Sequence, residues 1–313
     1  MTNAVSPAVA PDISPDPSAA PTKEALSGFG TTMADTLASL LPQADGPESK
    51  LFEAMRYSAL GSGKFIRPYI VRTSALIFDV PDTRYLRAGA AVEMVHAYSL
   101  IHDDLPAMDD DDMRRGRPSC HIAYDEATAI LAGDALLTLS FEVLAHADTH
   151  PDAKVRSDLV MALAARAGGG GMVGGQMIDL ESEHAAVDAD LIARLETMKT
   201  GALIAFSSAA GGVLGQAGAD AVNALETFGF ELGLAFQITD DLLDVEGDED
   251  DVGKKVGKDA EAGKATFVSA LGVDGARNEA RQVTDRALSR LDMFGAQADE
   301  LRSVAEFVLA RNN

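Results

Sequence analysis

Apolar residues recur at three- and four-residue intervals along most of the chain, the period of an amphipathic helix rather than the alternation of a strand. Leu37, Leu40 and Leu41, then Leu51 with Met55 and Ala59 with Leu60, begin the series, which reads as helix from residue 23 onward. Pro68 predicts the opening of the next helix, which runs through Tyr69, Ile70, Leu76 and Ile77 and ends before Pro81. Another is predicted over 83–104, stopped there because Pro106 disfavours helix at Leu105. Further helices are predicted around 123–146, 155–167, 188–212 and 222–245, and from 263 to the C-terminus. No segment alternates convincingly as a strand, so the pattern predicts an all-α chain. Residues 1–22 are rich in Pro and Ala with no basic residue, which fits neither a secretory signal nor a transit peptide and reads as a disordered tail. Residues 23–313 are expected to form a single domain.

The stretch 168–175, GGGGMVGG, interrupts this pattern. It admits two readings: a linker, or glycines that let helices approach closely ahead of the helical pattern resumed at Gln176.

Composition sharpens the class. Hydrophobic residues make up 47% of the 313 positions, enough for a substantial core, and mean hydropathy is +0.02. No apolar run approaches the roughly 18 residues of a membrane span. Acids outnumber bases 49 to 26, for a net charge of −23, which argues against affinity for nucleic acid. A lone cysteine, Cys120, allows no disulfide within the chain, and a reducing, cytoplasmic setting is expected.

The acids are not evenly spread. Asp103, Asp104 and Asp109 to Asp112 form one cluster and Asp240, Asp241 and Asp244 a second, each following an apolar stretch late in a predicted helix. Carboxylates there face the negative end of the helix dipole, at a cost of about 0.3–1 kcal/mol each. Asp240, Asp241 and Asp244 also share one helical turn and repel one another. A bound cation would relieve both conflicts. Oxygen-only ligation with few carboxylates per ion suits Mg²⁺, and the absence of His or Cys at ligand spacing argues against zinc. The basic residues Lys64, Arg67, Arg114, Arg115, Lys199, Lys254 and Lys264 are candidates to hold phosphate groups.

Two rival motifs fail. Gly63-Lys64 lacks the glycine a phosphate-binding loop needs at position 58 and the Ser or Thr it needs at position 65. The stretch 248–259 breaks the calcium-loop pattern at Val252 and ends in Asp259 rather than a bidentate Glu.

Taken together, GSGKFIRP, HAYSLIHDDLPAMDDDDMRRGRPSCH, GGQMIDL, KTG, FQITDDLLDV and GKATF resemble the trans-polyprenyl diphosphate synthases, and within them the bacterial farnesyl diphosphate synthases. The resemblance runs from about residue 54 to 267, in order. It implies an antiparallel helix bundle around a deep central cavity, of the isoprenoid synthase type, usually a homodimer. It implies head-to-tail condensation of isopentenyl diphosphate with an allylic diphosphate, dimethylallyl or geranyl. Asp103, Asp104 and Asp109 on one wall, and Asp240 with Asp241 and Asp244 as weaker candidates on the other, would hold Mg²⁺, three ions with substrate bound. Arg114, Lys199, Lys254 and Lys264 would grip the allylic diphosphate, and Gly63, Lys64, Arg67, His96 and Arg115 the isopentenyl diphosphate. Thr200, Gln237, Gln176 and the Lys199 carbonyl would face the allylic cation.

Tyr98, five residues before Asp103, lies about 7.5 Å away along a helix axis. With the small Ser99 beside it, it resembles the farnesyl-type arrangement and implies a fifteen-carbon product. The alternatives are a geranylgeranyl diphosphate synthase and, further off, a non-catalytic partner subunit. No nucleic acid or membrane partner is expected.

Overall fold

A computed structural model describes residues 19–61, 63–182, 188–246 and 266–310 of the chain. Among them the fold is a bundle of helices: α1 (Ala19–Leu40), α2 (Ser49–Ala59), α3 (Ile66–Leu76), α4 (Asp82–Asp103), α5 (Cys120–Ala123), α6 (Glu126–Ala145), α7 (Ala153–Ala167), α8 (Met172–Ser182), α9 (Ala189–Glu196), α10 (Ala202–Leu214), α11 (Ala219–Glu246), α12 (Phe267–Arg290) and α13 (Asp299–Ala310). Positions 1–18 of the expected tail lie outside the described residues, and helix begins at Ala19.

Helices α4 and α10 form the centre. Apolar and small residues on every side of them, Ala88 through Val95 and Ala202 through Gly212, remain buried, as a helix surrounded by helices requires. Helix α4 packs on α3, α6 and α10, and α10 on α3, α7 and α11. A second, smaller core joins α9, α11 and α12 through Ile192, Ile238, Leu242, Phe267 and Val283.

Several boundaries differ from the sequence pattern. Helix α3 starts at Ile66, so Pro68 is its third residue; a first-turn proline gives up no intrahelical hydrogen bond. The helix expected over 123–146 is α6 alone, started by Asp125, whose side chain accepts the Thr128 N–H at 2.8 Å. The long C-terminal helix is broken between α12 and α13 by a 3₁₀ segment, Asp292–Ala298.

Two strands also appear where none was expected. Met113–Arg114 and Arg117–Pro118 pair antiparallel around Arg115 and Gly116, both with positive φ as a tight hairpin turn requires. With two residues each, the strands are too short to show alternation.

Helix α6 departs from the membrane reading. By length and mean hydropathy, 1.6, it could cross a bilayer. It packs instead along α4, burying Ala129, Ala132, Gly133 and Leu136, and carries Asp134 at mid-length.

Candidate active site

Two cavities open beside the C-terminal half of α4. The larger, about 470 Å³ and mostly apolar, runs from Asp103 past Ser99 and Tyr98, with Met172, Gln176, Met177 and Leu180 of α8 facing them. Lys199 and Thr200 complete its rim. The smaller is lined by Glu93, His96, Asp104, Arg114 and Arg115 together with Tyr57, Leu100 and Ile101. His96 borders both.

Asp103 and Asp104 diverge because successive helical residues turn by about 100°. Asp103 faces the larger cavity. Burial pushes its carboxyl up to about 6, Lys199 pulls the other way, and Asp109 adds to the rise. The loop folds Asp109 back through a 2.8 Å bond from its N–H to the Asp103 carbonyl. Asp104 is buried and accepts the Arg114 Nε–H at 2.9 Å, with Nη2 donating to the same oxygen. The structure therefore holds Asp104 on Arg114 rather than beside Asp103.

Lys199 sits where α9 passes into α10 through a π-helical turn, Thr197–Gly201. Such turns often accompany functional sites, since one extra residue redirects side chains and carbonyls. Burial opposes the Lys199 charge, but the ion pair with Asp179 of α8 outweighs it, so the ammonium is held above its usual range. Gly175 makes this possible: a Cβ there would lie 2.3 Å from the Lys199 backbone nitrogen. Gly174 and Gly175 thus pack α8 against Met198 and Lys199, whereas a Cβ on Gly169 or Gly170 would meet no neighbour within 4 Å.

The facing wall comes from α11. Gln237 Oε1 accepts the Thr200 hydroxyl at 3.4 Å, and Gln237 Nε2 donates to Asp241 Oδ1 at 3.2 Å. The other Asp241 oxygen accepts the Phe267 N–H at 2.8 Å, at the first turn of α12. Asp241 is buried and both its oxygens are used, so it orients Gln237. Asp240 and Asp244 lie on the half-buried side of α11. Gln176 Nε2 is buried without a hydrogen-bond partner among the described residues, an orphaned donor at the cavity wall.

Arg67 lines the larger cavity beside His96, with its Nε buried and unpartnered among the described residues. Burial lowers its pKa, Glu93 opposing and Arg115 reinforcing. His96 is held well below its ordinary value, by burial first and then by Arg67 and Arg115, and so is neutral near pH 7. Arg115 Nη2 approaches His96 Nε2 at 3.4 Å, and a Cβ on Gly63 would stand 2.8 Å from Arg115 Nη1. Lys64 lies exposed just before α3. Lys254 and Lys264 lie outside the described residues.

Ser99 turns its hydroxyl back to the His96 carbonyl at 2.9 Å and leaves only a small group on the cavity wall. Beside it, burial and then Asp103 push the Tyr98 phenol up to about 12, so it stays neutral.

The family model described as polyprenyl synthetase matches residues 48–305. The chain belongs to the polyprenyl synthetase family. Among curated members, it is 43% identical over 266 residues to the farnesyl diphosphate synthase of Escherichia coli K12, an alignment covering 83% of this chain and 89% of that one. Among solved structures, the apo FPP/GFPP synthase of Zymomonas mobilis superposes with a TM-score of 0.84 at 42% identity, covering 93% of this chain and 99% of that one. A Helicobacter pylori geranyltransferase solved with magnesium and isoprenyl diphosphate gives a TM-score of 0.78 at 31% identity, covering 92% and 96%.

The sequence pattern missed two members of this polyprenyl synthetase site. Asp179 is a single acid three residues after Gln176, and its position within GGQMIDL was the only available sign. Glu93 is a lone acid in an apolar run, a placement that shows no more than a charge requiring partners.

Proposed function

We propose that this chain is a Mg²⁺-dependent trans-prenyltransferase. It joins isopentenyl diphosphate head-to-tail to dimethylallyl or geranyl diphosphate, releases pyrophosphate, and makes (2E,6E)-farnesyl diphosphate. The observation that carries the reading is an apolar cavity whose rim brings Asp103 and Lys199 within electrostatic reach of each other while Tyr98 lines its depth.

The donor set fits magnesium. Asp103 is crowded by Asp109 and most of its surface is out of water, a conflict a divalent cation removes. Among the described residues no three acids, imidazoles or thiols converge into a ready cage, which suits an ion that takes one or two carboxylates and shares the rest of its shell with phosphate oxygens. Asp103 and Asp109 would hold it on one wall and Asp240 on the other, with Asp244 beside Asp240. An ion held by these residues would supply Lewis-acid neutralisation of the charge that grows on the leaving diphosphate.

The side chains divide the remaining work. Lys199, kept protonated by Asp179, and Arg114, aimed by Asp104, grip the allylic diphosphate. As the allylic carbon–oxygen bond breaks, its electron pair stays with the diphosphate, and these cations stabilise that charge most in the transition state. Thr200 and Gln237 present oxygens to the allylic cation, and Gln176 borders the same wall. Arg67, Arg115 and neutral His96 hold isopentenyl diphosphate, with Gly63 leaving room for the Arg115 guanidinium and Lys64 at the entrance. The isopentenyl double bond supplies the electrons of the new carbon–carbon bond, and the proton lost goes to pyrophosphate.

We take the active assembly to be a homodimer. Helix α6 leaves Ile130 and Leu131 exposed, with Ile122 of α5 nearby in sequence, an apolar surface suited to a second copy.

Radiolabelled isopentenyl diphosphate supplied with dimethylallyl, geranyl or farnesyl diphosphate, with and without Mg²⁺, tests the activity. Incorporation into a fifteen-carbon product that stops when Mg²⁺ is chelated is expected. A twenty-carbon product from farnesyl diphosphate would move the assignment to geranylgeranyl diphosphate synthesis. No incorporation with any primer would overturn the enzyme reading in favour of a partner subunit.

A further inference from the structure

Tyr98 has a neighbour that the assignments above leave unused. His102 stands four residues further along α4, the spacing that places side chains on one helix face, and both line the larger cavity. Their ring centroids lie 5.7 Å apart with planes at 78°. This is the edge-to-face arrangement, in which the positive rim of one ring meets the negative face of the other.

His102 is itself held from behind. Its Nε2 lies 3.1 Å from the backbone carbonyl of Ile130 in α6, and because a carbonyl only accepts, that nitrogen carries the proton. The imidazole fits there because position 133 has no side chain. A Cβ on Gly133 would stand 2.1 Å from Nε2 and 2.6 Å from Cδ2, far inside contact distance, and the ring would have to leave. Ile130 and Gly133 are three residues apart on one face of α6, so the acceptor and the hollow form one seat. The ring is pinned between a helix backbone and the tyrosine.

We infer that His102 is a positioning residue for product length: it holds the Tyr98 ring across the cavity, and Gly133 is the seat that lets it do so. This rests on the reading that Tyr98 ends chain growth. A tyrosine ring turns about two side-chain bonds, and an apolar tail pressing on it from the rim would push it aside. The imidazole edge, fixed to α6, resists that turn. Small Ser99 leaves the approach open, so the stop depends on the ring staying in place rather than on bulk at the neighbouring position.

The test compares Tyr98→Ala, His102→Ala, Gly133→Ala and the Tyr98→Ala/His102→Ala double variant in the full-length enzyme. Each is supplied with isopentenyl and geranyl diphosphate, and the dephosphorylated products are separated by length. The readout is the ratio of twenty- to fifteen-carbon product rather than the rate, and Gly133→Ala reaches the same ring from α6, away from Asp103. His102→Ala is expected to raise that ratio about five-fold, the loss of one edge-to-face contact from the barrier to further addition. Gly133→Ala should shift it in the same direction, and the double variant should match Tyr98→Ala alone, because the histidine acts through the tyrosine. A wild-type ratio in both His102→Ala and Gly133→Ala, with Tyr98→Ala shifted, would overturn the brace and leave the gate. A wild-type ratio in Tyr98→Ala would remove the gate itself. Additive shifts in the double variant would show that His102 acts by its own bulk, and would also overturn the positioning role.

Discussion

Burial pushes the Asp103 carboxyl up to about 6, with Lys199 opposing and Asp109 adding to the rise. Between its ordinary value of 3.8 and about 6 the unfolded chain has released a proton that the native chain retains, so the metal-free fold should lose stability as the pH rises through that window. A divalent cation binds the ionised form and must displace the proton below it. Magnesium is therefore expected to raise the melting temperature fully at pH 7.5 and progressively less as the pH falls through 6. Asp103→Asn should flatten both the stabilisation and its pH dependence. Equal stabilisation of the wild type at pH 5 and pH 7.5 would take Asp103 out of the site. Clustered residues such as Asp103 and Asp240 stood out in the sequence, since charge repeated at helical spacing is a pattern. Asp179 and Glu93 did not, because their partners, Lys199 and Arg67, are distant in sequence and only packing brings them together.

The helices themselves were legible, since burial imposes a 3.6-residue period on any chain that folds this way. What the period could not show was how they end or change register. The hairpin that presents Arg114 and Arg115 is shorter than one alternation. The π-helical turn under Lys199 leaves the apolar spacing of α9 and α10 looking like one helix. The glycine run 168–175 stayed ambiguous because close approach is a property of two elements, and only the structure shows α8 lying on the backbone of Met198 and Lys199. Gly175→Ala should force α8 away from that turn. Overpacking of this kind costs about 1–3 kcal/mol. A denaturant midpoint lowered accordingly, with turnover reduced because Asp179 no longer aligns Lys199, is the expected result. Unchanged stability and turnover would mean that the contact is dispensable.

For the whole molecule, the −23 charge makes the surface inhospitable to polyanions, so a diphosphate enters against the field and depends on cations placed at two cavities. Ile130 and Leu131 of α6 are adjacent exposed apolar residues on that charged surface. If the proposed homodimer of 32.7 kDa chains forms through this face, Leu131→Glu is expected to convert it into monomers in sedimentation, whereas an unchanged dimer mass would place the interface elsewhere. The π-helical turn has a consequence for inheritance. A π turn is an α-helix carrying one residue too many, so losing a single codon within Thr197–Gly201 would let an unbroken helix run from Ala189 to Leu214. The same deletion would swing everything on one side of it by about 100° and separate Lys199 from the Asp179 and Thr200 geometry around it. The easiest repair open to the gene at this point is one that the enzyme cannot accept.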